Sequence, residues 1–505
     1  MSRIRILATS DMHGYIYPYS YADGKSFSGG MARLKTLCDS LRDEQTLLID
    51  NGDVLEGSPL SFYHYHQHVS SVSPMTACMS QMHYDFINLG NHDFNYGEAA
   101  LMRHINSVSC PCLCANALYN GKPIGDSYTI RTIAGKRIAL FGIVTSYIPH
   151  WETPDHIEHF QFIDAFETAQ KITAEIKAKE KPDFIICIYH GGLERDIDTG
   201  ILTEDDTGEN QGSRILNNIP DLDVLICGHQ HRSICQKINR TFVTSTAANA
   251  TELACIDIDT DSRSIAGRLI PAIAEADTEM MKSVQNEEND CQIWLDQSLG
   301  STDMDLEIKD ESEARIHKSQ VITLLNQIAM HASNSDMAAC ALFNGARGFK
   351  KQITMRNLVS TYVFPNTLTV KKVTGRVLKL YLEKTAEFFC IENGKISVSR
   401  SYLWPKPQQY NYDMLDGASY TIKVSNPVGS RIENLCRNGI PIQDNDVFTL
   451  AINNYRASGG GNFSMLKDAP TAAVYQNSMV ELIADYILER KTISFKPIHN
   501  IQVIE

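Results

Sequence analysis

The sequence predicts an α/β protein in two parts, and three features of the chain carry that prediction. Across roughly the first 260 residues, runs of four to six apolar residues close repeatedly in polar, Gly-bearing corners. Between those runs lie stretches whose apolar residues recur every three or four positions. Past residue ~318 the same alternation resumes, after a stretch that is acidic and poor in strand-forming residues. Apolar runs with turn punctuation read as buried strands, and the three-to-four spacing reads as amphipathic helix. Their alternation reads as a layered α/β architecture with functional groups in the loops at strand ends.

Taken in order, IRILAT runs into Ser10-Asp11-Met12-His13-Gly14, and TLLID into Asn51-Gly52-Asp53. FINLG runs into Asn91-His92-Asp93, FIICIY into His190-Gly191-Gly192, and VLIC into Gly228-His229-Gln230-His231. Met31, Leu34, Leu37, Cys38 and Leu41 predict a helix, and residues ~164–179 predict another. The chain divides into a first domain over 1–275, a linker region with helix over 276–318, and a second domain over 319–505. In the last, SQVITLLNQIAMHA reads as helix, ACALFNG as strand and turn, TLTVKKVTG as strand and GRVLKLYLEKTAEFF as helix. YTIKV and VFTLAINN are further strands, MVELIADYILER is a late amphipathic helix, and there is no internal repeat.

Composition narrows the function classes. The formal net charge of -14 argues against a broad basic surface for duplex nucleic acid or an anionic membrane. No apolar run approaches the ~18 residues that span a bilayer. The 13 cysteines are odd in number and irregularly spaced, several of them inside apolar runs, where the residue acts as a small buried hydrophobe. The N-terminus lacks the apolar stretch of a secretory leader, so the expectation is a reduced, cytoplasmic chain. The oligomeric state stays open.

The predicted strand ends collect Asp11, His13, Asp53, Asn91, His92, Asp93, His190, His229 and His231. Asp, Asn and His together suit Zn, Mn or Fe at a hydrolytic site. On an extended segment residues two apart point to one side, so Asp11 and His13 can chelate one ion. His229 and His231 can do the same or divide between two ions. The Asp53 carboxylate can bridge two cations, and the neighbouring glycines permit tight turns. Any one such pair is more often a cap or a surface pair; five clusters, each closing a strand, argue for a metal site. Two other groups read as structural. His64, His66 and His68 have no carboxylate nearby and fall in what reads as a polar, solvated loop. Cys110, Cys112 and Cys114 alternate as in a strand, which suits packing better than thiolate ligation.

This series of clusters resembles that of the calcineurin-like metallophosphoesterase superfamily. The resemblance implies a four-layer α/β/β/α sandwich holding two divalent metal ions, with Mn, Zn and Fe as candidates. It assigns Asp11, His13, Asp53 and His231 to one ion, and Asp53 (bridging), Asn91, His190 and His229 to the other. It makes His92 an acid beside the ions, with Asp93 orienting its ring. Two cations lower the pKa of a shared water enough to supply hydroxide near neutral pH, and clamp phosphoryl oxygens for in-line displacement. His92 stabilises the developing charge or protonates the leaving oxygen, and no covalent enzyme nucleophile is needed.

The second half resembles the C-terminal domain of the 5′-nucleotidase family, which includes the 2′,3′-cyclic-nucleotide 2′-phosphodiesterase/3′-nucleotidases; the likeness then covers nearly the whole chain. It implies an α/β substrate-binding domain in which two aromatic side chains sandwich a nucleotide base. The matching segments are Phe364-Pro365-Asn366-Thr367 and Asn453-Asn454-Tyr455-Arg456-Ala457-Ser458-Gly459-Gly460, making Phe364 and Tyr455 the expected stacking pair. On their own these are equally core aromatics, but Tyr455 lies between a predicted strand and a Gly-rich loop, where exposure is expected. Asn344-Gly345-Ala346-Arg347 is a shortened form of a family motif, with Arg347 expected on phosphate or ribose and Asn344 on a base edge. The family's further upstream arginines have no match in SQVITLLNQ. YNYDMLDGASYTIKV is similar to the cyclic-nucleotide branch. The expected activity is therefore metal-dependent hydrolysis of a 2′,3′-cyclic nucleotide to the 3′-nucleotide, then to nucleoside and phosphate. The alternatives are a 5′-nucleotidase or nucleotide-sugar hydrolase, and a metal-dependent nucleotide-binding protein without turnover.

Overall fold

The computed structural model describes residues 3–203, 206–364, 366–404, 406–494 and 496–505. Pro365 of the Phe364–Thr367 segment lies outside the described residues. The chain forms two units, Met1–Cys291 and Gln292–Glu505.

In the first unit the apolar runs build two sheets. One has the order Ile265–Pro271, Glu252–Asp259, Arg3–Thr9, Thr46–Asp50, Phe86–Ile87. The other has the order Ile234–Ile238, Thr241–Ser245, Val224–Ile226, Phe184–His190, Lys136–Val144, Thr129–Ile133. The last three strands of the first sheet are parallel, as are the four central strands of the second. Ile4, Ile6, Leu47, Ile49 and Ile256 of one sheet share a core with Ile138, Leu140, Ile186, Ile188 and Val224 of the other. Because strand side chains alternate, Phe141, Cys187 and Leu225 face the opposite way, onto Ala169, Ile172 and Ile176 of the helix Ala165–Lys179. That helix starts where the Asp164 side chain accepts from the Glu167 amide. Leu7, Leu48 and Cys255, on the far face of the first sheet, are buried, as are Met31, Leu34 and Cys38 of the helix Met31–Leu41. The layers are α/β/β/α, as expected.

One local expectation is corrected. The segment with His64, His66 and His68 is not a solvated loop: Pro59–Gln67 is a helix, capped by the Ser58 side chain on the Ser61 amide and opened by a proline. His64 is fully buried, with Nδ1 2.6 Å from Glu287 Oε1, while His66 and His68 are exposed. Cys112 and Cys114 are buried packing residues, and among the described residues no disulfide is formed.

The second unit centres on a mixed sheet of order Asp413–Asp416, Met337–Ala341, Val447–Asn453, Thr367–Thr374, Thr471–Ser478. The helices Gln320–Ser333, Gly375–Ala386 and Met479–Arg490 accompany it. Thr374 caps the second of these helices, and Ser478 with Glu481 forms a capping box at the third. Between residues 276 and 318 the chain forms the helices Thr278–Ser283, Gln285–Leu295 and Glu311–Ile316; the strands Ser298–Thr302 and Leu306–Glu307 in the same stretch are what its acidic composition does not announce. Among the described residues, no helix is long and apolar enough to cross a membrane.

Candidate metal centre

The parallel strands of both sheets deliver the candidate ligands from their carboxyl ends. Asp11 and His13 follow Arg3–Thr9, Asp53 follows Thr46–Asp50, His190 ends Phe184–His190, and His229 and His231 follow Val224–Ile226. Asn91 opens the short 3-10 turn Asn91–Phe94.

The local geometry differs from the extended one that the two-residue spacings suggest. Asp11, His13, Asp53, His229 and His231 all have positive φ, from 49° to 67°. Each strand end therefore curls into left-handed turns, and these, rather than a shared strand face, aim the side chains inward. Asp and His visit this region more readily than most residues, but each instance still costs about 1 kcal/mol or more. The loops offset that strain by gripping one another. The Asp11 amide donates to Gly52 O at 2.9 Å, the His13 amide to Asp53 O at 2.8 Å, and the His229 amide to Asp11 Oδ1 at 2.9 Å. A Cβ on Gly90 would overlap Asp53 Oδ1, and one on Gly228 would overlap Ser10 Oγ, so both positions require glycine.

Asp11, His13 and His231 form one cluster, and Asp11, Asp53 and His190 another, with the ligand atoms of each within 4.8 Å of one another. Asp53 Oδ2 joins them, 3.1 Å from His190 Nε2 and 4.0 Å from His13 Nε2. His13 Nε2 and His231 Nε2 are 3.0 Å apart, and His229 Nδ1 is 2.8 Å from Asn91 Oδ1. Asp53 Oδ2 and His190 Nε2 are buried atoms that, among the described residues, have no hydrogen-bond partner. A buried polar atom left so is costly, and a divalent cation suits a carboxylate oxygen and an imidazole nitrogen together. All seven expected ligands are brought to this one place, and they fit a divalent ion pair. Burial opposes charge on both groups, yet His190 and His92 hold the Asp53 carboxyl well below its usual range, and Asp53 and Asp11 push His190 up to about 10.

His92 stands beside the cluster, its amide donating to Asp53 Oδ1 at 2.7 Å and its side chain 26% exposed. Its ring is not oriented by Asp93, and that expectation is corrected. Both Asp93 oxygens are taken by four backbone amides, those of Gly90, Asp53, Val54 and Leu55, at 2.8–3.0 Å. Asp93 instead anchors the loop that carries Asp53. The partners of His92 Nδ1 are Asn95 Oδ1 at 2.7 Å and Glu56 Oε2 at 3.3 Å. Burial works against the imidazolium, but Asp53 and Glu56 outweigh it and raise the His92 pKa above its ordinary value. Asn95 is in turn fixed by Glu152 at 2.6 Å.

Comparison with known proteins agrees with this geometry. The family model for calcineurin-like phosphoesterases matches residues 4–233, and that for the 5′-nucleotidase C-terminal domain matches residues 299–468. A putative 5′-nucleotidase from Staphylococcus aureus superposes over 100% of both chains with a TM-score of 0.93 and 34% identity. The chain belongs to the 5′-nucleotidase family of calcineurin-like phosphoesterases. Within this family it is also 25% identical to the 2′,3′-cyclic-nucleotide 2′-phosphodiesterase/3′-nucleotidase of Haemophilus influenzae, over 96% of this chain and 84% of that one. It is 26% identical to the trifunctional nucleotide phosphoesterase protein YfkN of Bacillus subtilis over 98% of its own length, but spans only 38% of YfkN. The protein is thus a metallophosphoesterase, and the family's dinuclear divalent centre has its counterpart in the clusters around Asp53.

The expected substrate residues of this phosphoesterase lie in the second unit. The strands Thr367–Thr374 and Val447–Asn453 pair antiparallel with Leu368 opposite Asn453, so Phe364 and Tyr455 emerge at the same end of the sheet. Both are half-buried, and Phe364 meets the rings of Phe343 at 5.2 Å and Tyr410 at 6.3 Å. Asn344 and Arg347 are exposed, with Asn344 Nδ2 donating to Pro407 O at 3.1 Å. Glu56, Asn95, Trp151, Glu209 and Tyr410 are the neighbours that sequence reasoning missed. Only Asn95 had a signal, its place three residues beyond His92 in one helical turn; Glu56, Trp151 and Glu209 lie in loops of the first unit and Tyr410 in the short 3-10 helix Gln409–Asn411 of the second, with no distinguishing pattern.

Proposed function

We propose that this metallophosphoesterase hydrolyses 2′,3′-cyclic nucleotides to 3′-nucleotides and then removes the 3′-phosphate. The observation that carries the reading is the convergence of all seven candidate ligands around Asp53 with His92 beside them. Asp11, His13, Asp53 and His231 would hold one divalent ion, Mn, Zn or Fe, and Asp53, Asn91, His190 and His229 the other. Such a pair, when bound, supplies Lewis acidity to water and to phosphoryl oxygens. His92, fixed through Nδ1, keeps Nε2 to give a proton to the leaving ribose oxygen. Phe364 and Tyr455 would grip the base by stacking, and Arg347 and Asn344 would contact phosphate, ribose or base edge. The names of several relatives and the shortened Asn344–Arg347 segment favour the cyclic diester. A second reading, 5′-nucleotidase, is favoured by the name of the Staphylococcus aureus relative.

The test is incubation of Mn-loaded protein with 2′,3′-cyclic AMP, 3′-AMP and 5′-AMP, beside an Asn91→Ala/His92→Ala control. Rapid cleavage of the cyclic diester, lost in the control, is expected. Preference for 5′-AMP would move the enzyme to the second reading, and metal-loaded protein that turns over none of the three would leave only nucleotide binding.

A further inference from the structure

The His229 ring is held between two acceptors. Nδ1 lies 2.8 Å from Asn91 Oδ1 and Nε2 lies 2.9 Å from Glu209 Oε1, while Trp151 stacks on the ring at 5.4 Å and 27°. A neutral imidazole carries one proton, so it can donate to only one of the two. A carboxylate is the stronger acceptor, which puts the proton on Nε2 and a lone pair on Nδ1. That lone pair then lies beside the Asn91 oxygen, and two lone pairs at this distance repel unless a cation joins them. His13 and His190 make the opposite choice. Their Nδ1 atoms sit 3.0 Å from Glu56 O and 2.6 Å from Asn51 O, both backbone carbonyls that can only accept, so Nε2 is the atom they present.

The segment bearing Glu209 is built to hold it in place. The Glu209 carbonyl accepts from Thr145 Oγ1 at 2.7 Å, and Asn210 Oδ1 accepts from the Gly192 amide at 2.6 Å. The Gln211 amide donates to Tyr189 Oη at 3.0 Å. Thr145, Tyr189, Asn210 and Gln211 are all buried, and Tyr189 directly precedes His190. The Glu209 side chain is thus 32% exposed on a backbone tied to the same strand that carries another ligand.

We infer that Glu209 is a positioning residue, fixing His229 with its proton on Nε2 so that the ring ligates through Nδ1 alongside Asn91. The inference rests on the reading of His229 and Asn91 as metal ligands. A surface ion pair of no consequence would leave metal binding unmoved, whereas partners of this kind typically change metal affinity by about 10- to 100-fold.

The experiment is calorimetric titration of metal-free full-length wild type, Glu209→Ala and Glu209→Gln with Mn, and ions per chain counted by mass spectrometry. Circular dichroism melting of the metal-free chains checks that each variant folds. The wild type is expected to bind two ions. Glu209→Ala should weaken one of the two by about 10- to 100-fold, and Glu209→Gln, which keeps an acceptor oxygen, should recover most of the loss. Glu209→Ala binding both ions as tightly as wild type, or Glu209→Gln no better than Glu209→Ala, overturns the inference alone. A folded wild type that binds fewer than two ions overturns it together with the metal-ligand reading.

Discussion

Asp53 Oδ2 lies 3.1 Å from His190 Nε2 in a buried ion pair, and among the described residues neither atom has a hydrogen-bond partner. Asn51 O fixes the other side of the His190 ring at 2.6 Å, so the pair cannot turn away to find other partners. Five left-handed residues around it add strain that the folded chain alone has to sustain. The Asp53–His190 pair is thus held in place before any ion arrives, and a divalent ion that takes both atoms as ligands adds its binding free energy to the folded state. Scanning fluorimetry of metal-free protein should show a melting temperature that rises with added Mn, by the equivalent of about 2.7 kcal/mol at a hundredfold excess over Kd. His190→Ala should lose most of that rise. An identical rise in His190→Ala would mean the stabilising ion binds elsewhere.

Asp93 and His92 are neighbours in sequence with separable jobs. Asp93 satisfies four backbone amides of the Gly90 and Asp53 loops, while His92 is partly exposed and holds none of them. Removing the Asp93 carboxylate leaves buried donors unpaired, so Asp93→Ala should cost roughly 3 kcal/mol or more of stability in denaturant titration and weaken metal binding with it. His92→Ala should leave stability within about 1 kcal/mol. It should keep its metals and lose about 10²- to 10⁴-fold in kcat, the usual worth of a positioned acid. Equal stability losses in the two variants would contradict this division.

The difference between these two residues shows what the sequence could convey. Strands, layers and the ligand-bearing corners were legible because hydrophobic runs such as FIICIY stop abruptly at residues such as His190, and burial enforces that pattern. The helix Pro59–Gln67 was not read from the sequence, because its histidines suit a polar loop equally well. The left-handed turns at Asp11 and His229 leave no mark, since the same residues serve extended segments equally well. Nor does sequence order disclose that Glu209, twenty residues before His229, meets its ring, or that Asp93 serves the backbone rather than the histidine beside it.

Asp50 gives the fold a pH dependence of its own. It is fully buried, accepting from Thr9 Oγ1 at 2.6 Å and the Gly52 amide at 3.0 Å, and burial pushes its carboxyl up to about 8. The folded chain therefore keeps a proton that the unfolded chain releases near pH ~4. Stability from this group is greatest below that pH and declines as pH rises to about 8, by about 1.4 kcal/mol per unit. Denaturant midpoints of metal-free protein between pH 5 and pH 8 should show wild type losing ground steadily to Asp50→Asn. Parallel pH profiles would rule out a protonated Asp50 in the native state.

Phe364 and Tyr410 extend the aromatic end of the second unit beyond the pair expected from sequence. Their centroids are 6.3 Å apart at 66°, and Phe364 also meets the buried Phe343 edge-on at 5.2 Å. Phe343 thus backs Phe364 against the core, and Tyr410 becomes a third ring near the Phe364 and Tyr455 end of the sheet. Tyr410 is fixed from behind, since its carbonyl accepts from the buried Arg456, one residue beyond Tyr455, at 3.3 Å. That bond fixes the backbone from which the ring projects toward Phe364. Phe364→Ala and Tyr410→Ala should therefore each raise KM for 2′,3′-cyclic AMP by the equivalent of about 1–3 kcal/mol while kcat changes little. The same variants should hydrolyse glycerol 2-phosphate, which has no base, at the wild-type kcat/KM. A matching loss on glycerol 2-phosphate would place these rings in support of the fold rather than in base recognition.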